Sequence, residues 1–209
     1  LNADDPLTAR ITSDEQIRKQ YFGVENVSFA HDLQKTNFPS ESAVCECGND
    51  LEYSQRYYGH LGRYSCSCGK SRPQTDYSAH VMIDINSSAV NVRALNTIHF
   101  DFSLKMPGLY NVYNAIAASA VCLSMCVDEQ NIITALENYE TVFGRAEEIE
   151  IYGKKVLIQL IKNPVGASEV LRTVRDDKNG RLLILINDNY ADGRDVSWLW
   201  DADFELISK

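Results

Sequence analysis

The chain has 209 residues, which is enough for one sizeable domain or two small ones. Hydrophobic residues make up 44% of the sequence and charged residues 23%, a balance that excludes a disordered, collagen-like or low-complexity chain. The 20 Lys and Arg side chains are outnumbered by 29 Asp and Glu, which gives a formal net charge of -9. Because such a chain has no strong field to attract phosphate backbones, we expect no nucleic-acid partner.

The sequence also bears on the cellular compartment. No segment approaches the roughly 18–20 apolar residues of a membrane-spanning helix, and the longest candidate, 110–127, is interrupted by Asn and Ser. Residues 1–6 contain neither an initiator Met nor a secretory signal, so we expect this sequence to begin partway through a longer protein. Four of the six Cys lie in two tight pairs and two on an apolar segment, which favours a reducing compartment, the cytoplasm.

The first third of the chain combines two predicted elements with a segment of unusual composition. Ser13–Gln16 resembles a capping box that opens a short helix through Gln20, and Val24–Phe29 has the pattern of a strand. From Cys45 to Cys68, aliphatic residues give way to Gly, Ser, Tyr and charged residues. Because this stretch cannot build a core of its own, something other than apolar burial must hold it together.

The middle of the chain predicts three strands followed by two helices. Three segments alternate apolar and polar residues, as half-buried antiparallel strands do: Ala79–Ile85, Ala89–Leu95 and Thr97–Phe102. A nearly continuous small and apolar face over Tyr110–Cys126 indicates a helix packed between other elements. Asp128 can cap a second helix, which we expect to end near Gly144.

The last third of the chain has a different order of elements. A strand over Val156–Ile161, a helix over Glu169–Val174 and a strand over Leu182–Ile186 are predicted, and this order favours a parallel sheet. We therefore place a domain boundary at Gly144. The two predicted domains are residues 1–144, part of one α/β domain with an inserted module at about 41–76, and residues 145–209, the start of a second α/β domain.

Two copies of a Cys-x-Cys-Gly pattern lie at residues 45–48 and 66–69, with 18 residues between Cys47 and Cys66. Two tight turns that face each other across a hairpin can bring four thiolates round one tetrahedral zinc ion. Each pair is one residue shorter than the usual Cys-x-x-Cys-Gly spacing, and two cross-strand disulfides are the alternative. We predict a structural zinc site, because four thiolates leave no open position for a catalytic water. Its ligands are Cys45, Cys47, Cys66 and Cys68.

Polar residues near the predicted element ends indicate ligand contacts. Asn111 and Asn114 lie three residues apart at the start of a helix, where their amides can contact an adenine edge; helix capping by Asn111 is the alternative. Arg145 follows a helix end, and its guanidinium either clamps phosphate oxygens or is an ordinary surface group. Lys162 opens a turn between a predicted strand and a helix, where ligands bind in open parallel sheets.

A further polar loop, residues 187–195, follows the last predicted strand directly. It contains three carboxylates, those of Asp188, Asp192 and Asp195, and one Arg. Loops at the carboxyl ends of parallel strands commonly hold orienting carboxylates, so we predict a functional role for this one. A solvated surface loop is the alternative.

Several of these segments resemble the motifs of one enzyme family. Residues 2–6 look like an Asn-x-Asp-Asp-Pro segment and residues 143–145 like a Gly-Arg motif. Residues 108–115 look like the first eight positions of a Gly-x-His-Asn-x-x-Asn-x-x-Ala helix start, in which Tyr110 replaces the His. In this combination the chain resembles the Mur ligase superfamily. The four-cysteine insertion, the turn at 162–166 and the run at 192–198 resemble the MurT family within it.

The resemblance implies a Mur ligase-like central α/β domain with an inserted four-cysteine zinc ribbon, followed by a Rossmann-like α/β domain. It implies ATP and Mg as cofactors in addition to the zinc. Asn111 and Asn114 would then contact adenine, and Arg145 the phosphates or ribose. The resemblance also places Asn2, Asp4 and Asp5 near the Mg-nucleotide. Lys162 is a further cofactor-binding candidate because of its position between a predicted strand and a helix.

The resemblance also implies a partner and a reaction. The partner is a GatD-like glutaminase whose Cys–His pair is completed by an Asp of the second domain, for which Asp192 ranks first, then Asp195 and Asp188. The reaction is ATP-dependent amidation of D-glutamate in lipid II to D-isoglutamine at the inner face of the membrane, with ammonia from glutamine. No Gly-x-x-x-x-Gly-Lys-Ser/Thr loop occurs in the sequence, so we expect this chain to carry only part of the ATP site. A non-catalytic zinc-ribbon scaffold that docks a partner is the alternative function.

Overall fold

The computed structural model describes residues 1–11, 17–29, 44–84, 87–106, 108–139, 145–175, 180–187 and 195–207. The chain divides into two compact units, Leu1–Glu140 and Thr141–Lys209. The predicted domain boundary at Gly144 falls on a residue outside the described ones.

The first unit is built on a mixed sheet. In the part that the structure describes, its elements are β1 (Phe22–Phe29), β2 (Glu52–Tyr58), β3 (Leu61–Ser65), β4 (Tyr77–Ile83), β5 (Ser88–Ala94), β6 (Ile98–Leu104), α1 (Leu109–Ser124) and α2 (Glu129–Glu137). Four strands form a sheet in the order β1-β4-β5-β6, in which β1 and β4 are parallel and the other neighbours antiparallel. The strands β2 and β3 form a separate antiparallel hairpin, inserted between β1 and β4.

The core of this unit lies between one face of the sheet and α1. Buried and exposed residues alternate along β4, β5 and β6, as they do in strands with one buried face. Val81, Val90 and Phe102 lie opposite one another across these strands, and all three are buried. Val112 and Ile116 of α1 are fully buried, and α1 packs against β1, β4 and β5. The strands predicted in this unit and the packed helix are confirmed, although β4 ends at Ile83 and Ile85 lies outside the described residues.

The two other helices predicted in the first unit fare differently. Asp128 caps α2 by accepting a hydrogen bond from the backbone N–H of Gln130 at 2.9 Å, as predicted. The helix ends at Glu137, however, and Tyr139 beyond it is 53% exposed, so the predicted end near Gly144 is wrong. Helices in proteins are stabilised mainly by packing of an apolar face, so an exposed residue such as Tyr139 does not favour a longer helix. The helix predicted from Ser13 to Gln20 falls partly outside the described residues, and its described part, 17–20, is not helical.

The second unit contains a hairpin followed by a helix. Its described elements are β7 (Arg145–Ile151), β8 (Lys154–Gln159), α3 (Pro164–Val174) and two 3-10 turns, Ser197–Asp201 and Phe204–Ile207. Tyr152 and Gly153 both have positive φ values, 50° and 72°, as the tight turn between twisted antiparallel strands requires. The partner of β8 is therefore the preceding strand, antiparallel to it.

The parallel sheet predicted for the last third is not formed by the described residues. The prediction missed β7, whose sequence is rich in Glu and does not look like a buried strand. The segment 182–186 is not a strand in the described chain, and Leu183 and Leu185 are 78% and 83% exposed. A strand needs a neighbour to hydrogen-bond with, and apolar composition alone does not supply one. None of the helices in the described part of the chain is long and apolar enough to span a bilayer.

Candidate metal and nucleotide sites

The four predicted zinc ligands come together at one end of the β2–β3 hairpin. We call residues 44–71, which comprise this hairpin and the two turns that flank it, the four-cysteine hairpin. The sulfur atoms of Cys45 and Cys68 are 3.7 Å apart, those of Cys47 and Cys66 are 3.5 Å apart, and all four lie within 4.8 Å of one another. All four are free thiols, so the disulfide alternative is not what the structure shows.

The two cysteine pairs lie in matching turns. In the first turn the backbone N–H of Gly48 donates to the carbonyl of Cys45 at 2.8 Å, and in the second Gly69 donates to Cys66 at 2.9 Å. Gly48 and Gly69 have φ values of 87° and 91°, which a residue with a Cβ atom adopts only with strain. The turn bends the chain sharply enough to bring sulfurs two residues apart to one point, so the shortened spacing is compatible with a shared metal.

The fit of the cluster to a metal ion follows from its dimensions. Four thiolates at the Zn–S distance of about 2.3 Å lie about 3.8 Å from one another in a tetrahedron, and the measured separations of 3.5 and 3.7 Å are close to this value. A hydrogen bond from the backbone N–H of Cys68 is the main cause that lowers the pKa of Cys66, to about 7. For Cys47 a backbone hydrogen bond from Asn49 acts in the same direction, but contacts with the other three thiols and burial outweigh it and raise the pKa to about 12. The residues present therefore suit a metal that takes four sulfur ligands.

Two polar contacts on the surface connect the two cysteine turns. Lys70 donates to the carboxylate of Glu46, which lies between the first two cysteines. The side-chain amide of Asn49 donates to the hydroxyl of Ser67 at 3.0 Å. Both pairs are exposed, so each contributes little to stability, but they align one turn with the other.

The Asn-x-Asp-Asp-Pro segment forms a turn beside β1. The side-chain carbonyl of Asn2 accepts a hydrogen bond from the backbone N–H of Asp4 at 3.0 Å. Asp5 accepts from the backbone N–H of Leu7 at 2.8 Å and lies 3.3 Å from Nε2 of His60, in the turn of the four-cysteine hairpin. Burial by itself raises the pKa of Asp5, but the hydrogen bonds from His60 and Leu7 outweigh it and hold the pKa below its ordinary value.

Asp4 is fully buried and bound on both carboxylate oxygens by protein groups. Oδ2 accepts from the backbone N–H of Val24 at 2.7 Å and from the Tyr113 hydroxyl at 2.8 Å, and Oδ1 accepts from Nε of Arg72. Burial raises the pKa of Asp4, and the nearby charge of Arg72 opposes this rise. These contacts give Asp4 a structural role that the sequence did not indicate.

Arg72 continues the network from Asp4 to Glu25 of β1. Its Nη1 donates to Glu25 at 3.0 Å, and Glu25 also accepts from the Thr75 hydroxyl at 3.0 Å and from Arg63 of β3. Burial alone would raise the pKa of Glu25, but Arg72 and the other donors lower it below its ordinary value. The network joins β1, β3 and the segment after the second cysteine turn.

Sequence reasoning missed this network. Arg72 and Glu25 are 47 residues apart, and Asp4 and Tyr113 are 109 apart. No local spacing pairs such residues. The only available signal was the presence of an ionisable residue in a strand otherwise built for burial, as with Glu25.

The two Asn residues predicted to contact adenine are both at least partly accessible in α1. Asn114 is exposed and Asn111 half-buried, one on each side of the buried Tyr113 and Val112. The residue that caps α1 is Gly108, with φ of 98°, and Asn111 lies inside the helix. The alternative that Asn111 caps this helix is therefore wrong.

The predicted site residues of the second unit are only partly described. Lys162 is exposed and precedes Asn163, which caps α3 by accepting from the backbone N–H of Gly166 at 2.7 Å. Asp195 is exposed and accepts from the backbone N–H of Ser197 at 2.9 Å. Arg145 begins β7, and nothing is described of its side chain; Asp188 and Asp192 lie outside the described residues.

Comparison with known proteins places the chain in a family. The family model described as MurT ligase C-terminal matches residues 160–209. The whole chain is 36% identical to "Lipid II isoglutaminyl synthase (glutamine-hydrolyzing) subunit MurT" of Streptococcus pneumoniae over 217 residues, and 36% identical over 214 residues to the protein of the same name from Staphylococcus aureus. The chain spans 46% of the length of each of these relatives.

A solved structure supports the same assignment. The pseudomurein peptide ligase type C from Methanothermus fervidus superposes with a TM-score of 0.69 at 32% identity, covering 87% of this chain and 34% of that one. The mixed α/β fold of the chain is thus that of a Mur-type ligase. The chain belongs to the MurT family within the Mur ligase superfamily.

Proposed function

We propose that this chain is part of the ligase subunit of a glutamine-dependent amidotransferase that converts D-glutamate of lipid II to D-isoglutamine. The observation that carries the proposal is the 36% identity over the entire chain to relatives named lipid II isoglutaminyl synthase subunit MurT. The action on a lipid-linked substrate would place the enzyme at the inner, cytoplasmic face of the membrane.

The geometry of the first unit supports a nucleotide site. The Asn-x-Asp-Asp-Pro segment and the start of α1 are far apart in the sequence, yet Asp4 and Tyr113 make a hydrogen bond of 2.8 Å. Asn111 and Asn114 would contact adenine, while Asn2 and Asp5 lie at the segment assigned to the Mg-nucleotide. In the second unit, Arg145 would bind phosphate or ribose oxygens through charge-assisted hydrogen bonds, and Lys162 is a further candidate for cofactor binding.

The proposed reaction has two steps. First, the α-carboxylate of D-glutamate attacks the terminal phosphorus of ATP, forming an acyl phosphate and ADP. Ammonia then attacks the acyl carbon, the C–O bond to phosphate breaks, and loss of a proton leaves the amide and inorganic phosphate. Phosphorylation is needed because an oxide ion is a poor leaving group and phosphate a good one. Mg, held near Asn2 and Asp5, would supply positive charge that stabilises the transferred phosphoryl oxygens, and cationic side chains such as that of Arg145 would add to it.

For the metal we propose zinc in a structural role. Cys45, Cys47, Cys66 and Cys68 would hold it and leave no position for a reacting water. The ion would fix the two turns of the four-cysteine hairpin, where few apolar residues are available to do so.

For the partner we propose a GatD-like glutaminase that supplies the ammonia. Asp192 would complete its Cys–His pair, with Asp195 and then Asp188 as the next candidates. If so, Asp192→Asn lowers glutamine hydrolysis by the assembled complex without preventing assembly, while Asp201→Asn, at an exposed Asp outside the 187–195 loop, is the matched control. Full glutaminase activity of Asp192→Asn would move the role to another Asp.

The experiment that tests the function uses the complete protein that contains this chain, together with the glutaminase. Amidation of lipid II is followed by mass spectrometry with ATP and either glutamine or ammonium. We expect a mass change that requires ATP with either nitrogen donor, and protection of Asn114 and Arg145 by the nucleotide. A complex that assembles and yet neither binds ATP nor forms amide would instead support the scaffold alternative.

A further inference from the structure

We propose that Asp4 and Arg72 are positioning residues that connect the four-cysteine hairpin to the first turns of α1. Through them, metal occupancy of the hairpin would set how firmly Asn111 and Asn114 are held. The consequence for nucleotide binding rests on the proposed function, whereas the connection itself rests on contacts among the described residues.

The first link runs from the second cysteine turn to the backbone of Arg72. The backbone N–H of Cys66 donates to Lys70 at 2.8 Å, and Ser65 and Ser71 form an antiparallel bridge. The backbone N–H of Arg72 then donates to the carbonyl of Tyr64 in β3 at 3.0 Å. A metal that fixes Cys66 and Cys68 therefore also fixes the position from which the Arg72 side chain extends.

The second link is the guanidinium of Arg72. Besides its bond to Asp4, it donates from Nη2 to the carbonyl of Val24 at 3.1 Å and from Nη1 to Glu25 at 3.0 Å. Its side chain is 10% exposed and that of Asp4 0%, so water cannot readily replace these bonds. The backbone of Asp4 is held by the hairpin as well, since the N–H of Gly62 donates to its carbonyl at 2.9 Å.

The third link joins Asp4 to α1. The Tyr113 hydroxyl donates to Oδ2 of Asp4 at 2.8 Å, and Tyr113 is 6% exposed. Tyr113 directly precedes Asn114 and follows Asn111 by two positions, within the first two turns of the helix. The hydrogen bond fixes the rotation of these turns about the helix axis, and with it the direction of both amides.

Loss of the metal would act along the same contacts. Once the second turn loosens, the fork of donors on Arg72 no longer faces Asp4, and a buried carboxylate is left without its cation. Such a charge is strongly unfavourable, so Asp4 and the Tyr113 hydroxyl would rearrange. The effect on α1 is a local shift at its first turns, since the apolar face of the helix remains packed on the sheet.

The test is a cycle of four binding measurements on the complete protein. Affinity for a nonhydrolysable ATP analogue with Mg is measured with the zinc bound and after its removal by a chelator that is then dialysed away, for the wild type and for Tyr113→Phe. We expect metal removal to weaken nucleotide binding about tenfold in the wild type, a typical coupling between sites. In Tyr113→Phe, which keeps the ring and loses only the hydroxyl, we expect little or no change.

A matched control removes another buried hydroxyl from the same unit. Tyr77 is 1% exposed, and its hydroxyl donates to Gln20 at 3.3 Å rather than to Asp4. Tyr77→Phe should keep the response of the wild type to metal removal. The proposal is overturned if Tyr113→Phe responds to metal removal as strongly as the wild type does.

Hydrogen exchange separates this proposal from the proposed function, because it needs no nucleotide. Removal of the metal should speed exchange of the backbone amides of residues 109–115 in the wild type. In Tyr113→Phe these amides should already exchange fast and respond little. If no form of the protein binds nucleotide, the proposed function fails and exchange alone decides the coupling. Unchanged exchange in the wild type would overturn the coupling even if nucleotide binds.

Discussion

The four-cysteine hairpin and the β1-β4-β5-β6 sheet belong to one folded unit but are stabilised in different ways. Along β4, every second side chain is buried, from Tyr77 to Ile83, and α1 covers this face with fully buried residues such as Ile116. In β2, by contrast, the only buried residue is Tyr57, whose hydroxyl donates to the carbonyl of Glu25 at 3.1 Å. The sheet is stabilised mainly by apolar burial. The hairpin also buries Leu61 and Tyr64 of β3, and it relies in addition on polar contacts and the cysteine cluster.

This difference shows what each region demands of its sequence. Apolar burial is tolerant, since any residue of suitable size and polarity fits a buried strand position. A four-cysteine metal site and a buried ion-pair network tolerate substitution poorly, because they depend on individual atoms at fixed distances. Substitutions in the hairpin should therefore have effects that depend on one chemical group, and substitutions in the sheet effects that follow buried volume.

The largest effect is expected from Cys66→Ser. Structural zinc sites contribute apparent binding free energies of about 10–16 kcal/mol, so loss of one thiolate removes the main stabilising contribution to the hairpin. Elemental analysis should show loss of the metal, and hydrogen exchange should show lost protection over 45–72 while α1 stays helical. Cys122→Ser, on α1 and outside the cluster, is the control and should retain its metal. Full metal content in Cys66→Ser would contradict the assignment of the site.

The next largest effect is expected from Arg72→Met. It removes the cation from the buried Asp4 and should lower the free energy of unfolding by about 3–5 kcal/mol, as measured by urea denaturation. Arg56→Met is the control, because Arg56 lies over the ring of Tyr53 at 4.0 Å, an interaction worth about 0.5–1 kcal/mol near the surface. Equal losses in the two variants would show that the Asp4–Arg72 pair has no special role.

A substitution at Ile116 tests the region that is stabilised by apolar burial. Ile116→Ala should cost about 2–5 kcal/mol by leaving a cavity beneath the sheet, again read from urea denaturation. Because the loss is one of buried volume, Ile116→Val should recover most of it. Metal content should stay at the wild-type level in both variants, and its loss would mean that the two regions are not stabilised separately.

The smallest change in the free energy of unfolding is expected from a change of pH. The pKa of Glu25 is lowered in the folded chain, so its contribution to stability is present above the ordinary value of 4.5 and is lost as the pH falls through the folded value. The pKa of Asp4 is raised, so its contribution has the opposite sign: it is present at low pH and is lost as the pH rises through the folded value. Glu25→Gln should therefore make the stability of the protein less sensitive to acid. Unfolding curves between pH 3 and 6 measure this, and an unchanged acid response would show that Glu25 is not the group responsible.

Much of the first unit was predictable because its signals are local. Alternation along β4, β5 and β6 and the apolar face of α1 reflect burial of one side of each element, which any sequence window reveals. The cysteine cluster was equally predictable, since two copies of one short cysteine pattern at this separation are typical of a metal site. The second unit was less predictable, because the Glu-rich sequence of β7 does not show a buried face. Since β7 was missed, the strand that pairs with β8 could not be identified.

The family, the strands and helix of the first unit, and the four thiols that can share a metal all follow from the order of residues along the chain. Only the folded molecule shows that Asp4 is a buried carboxylate facing Arg72 and Tyr113, and that Gly108 rather than Asn111 caps α1. Periodicity and short motifs are set by neighbours along the chain, whereas the partner of a buried charge is set by which distant segments the fold brings within hydrogen-bonding distance.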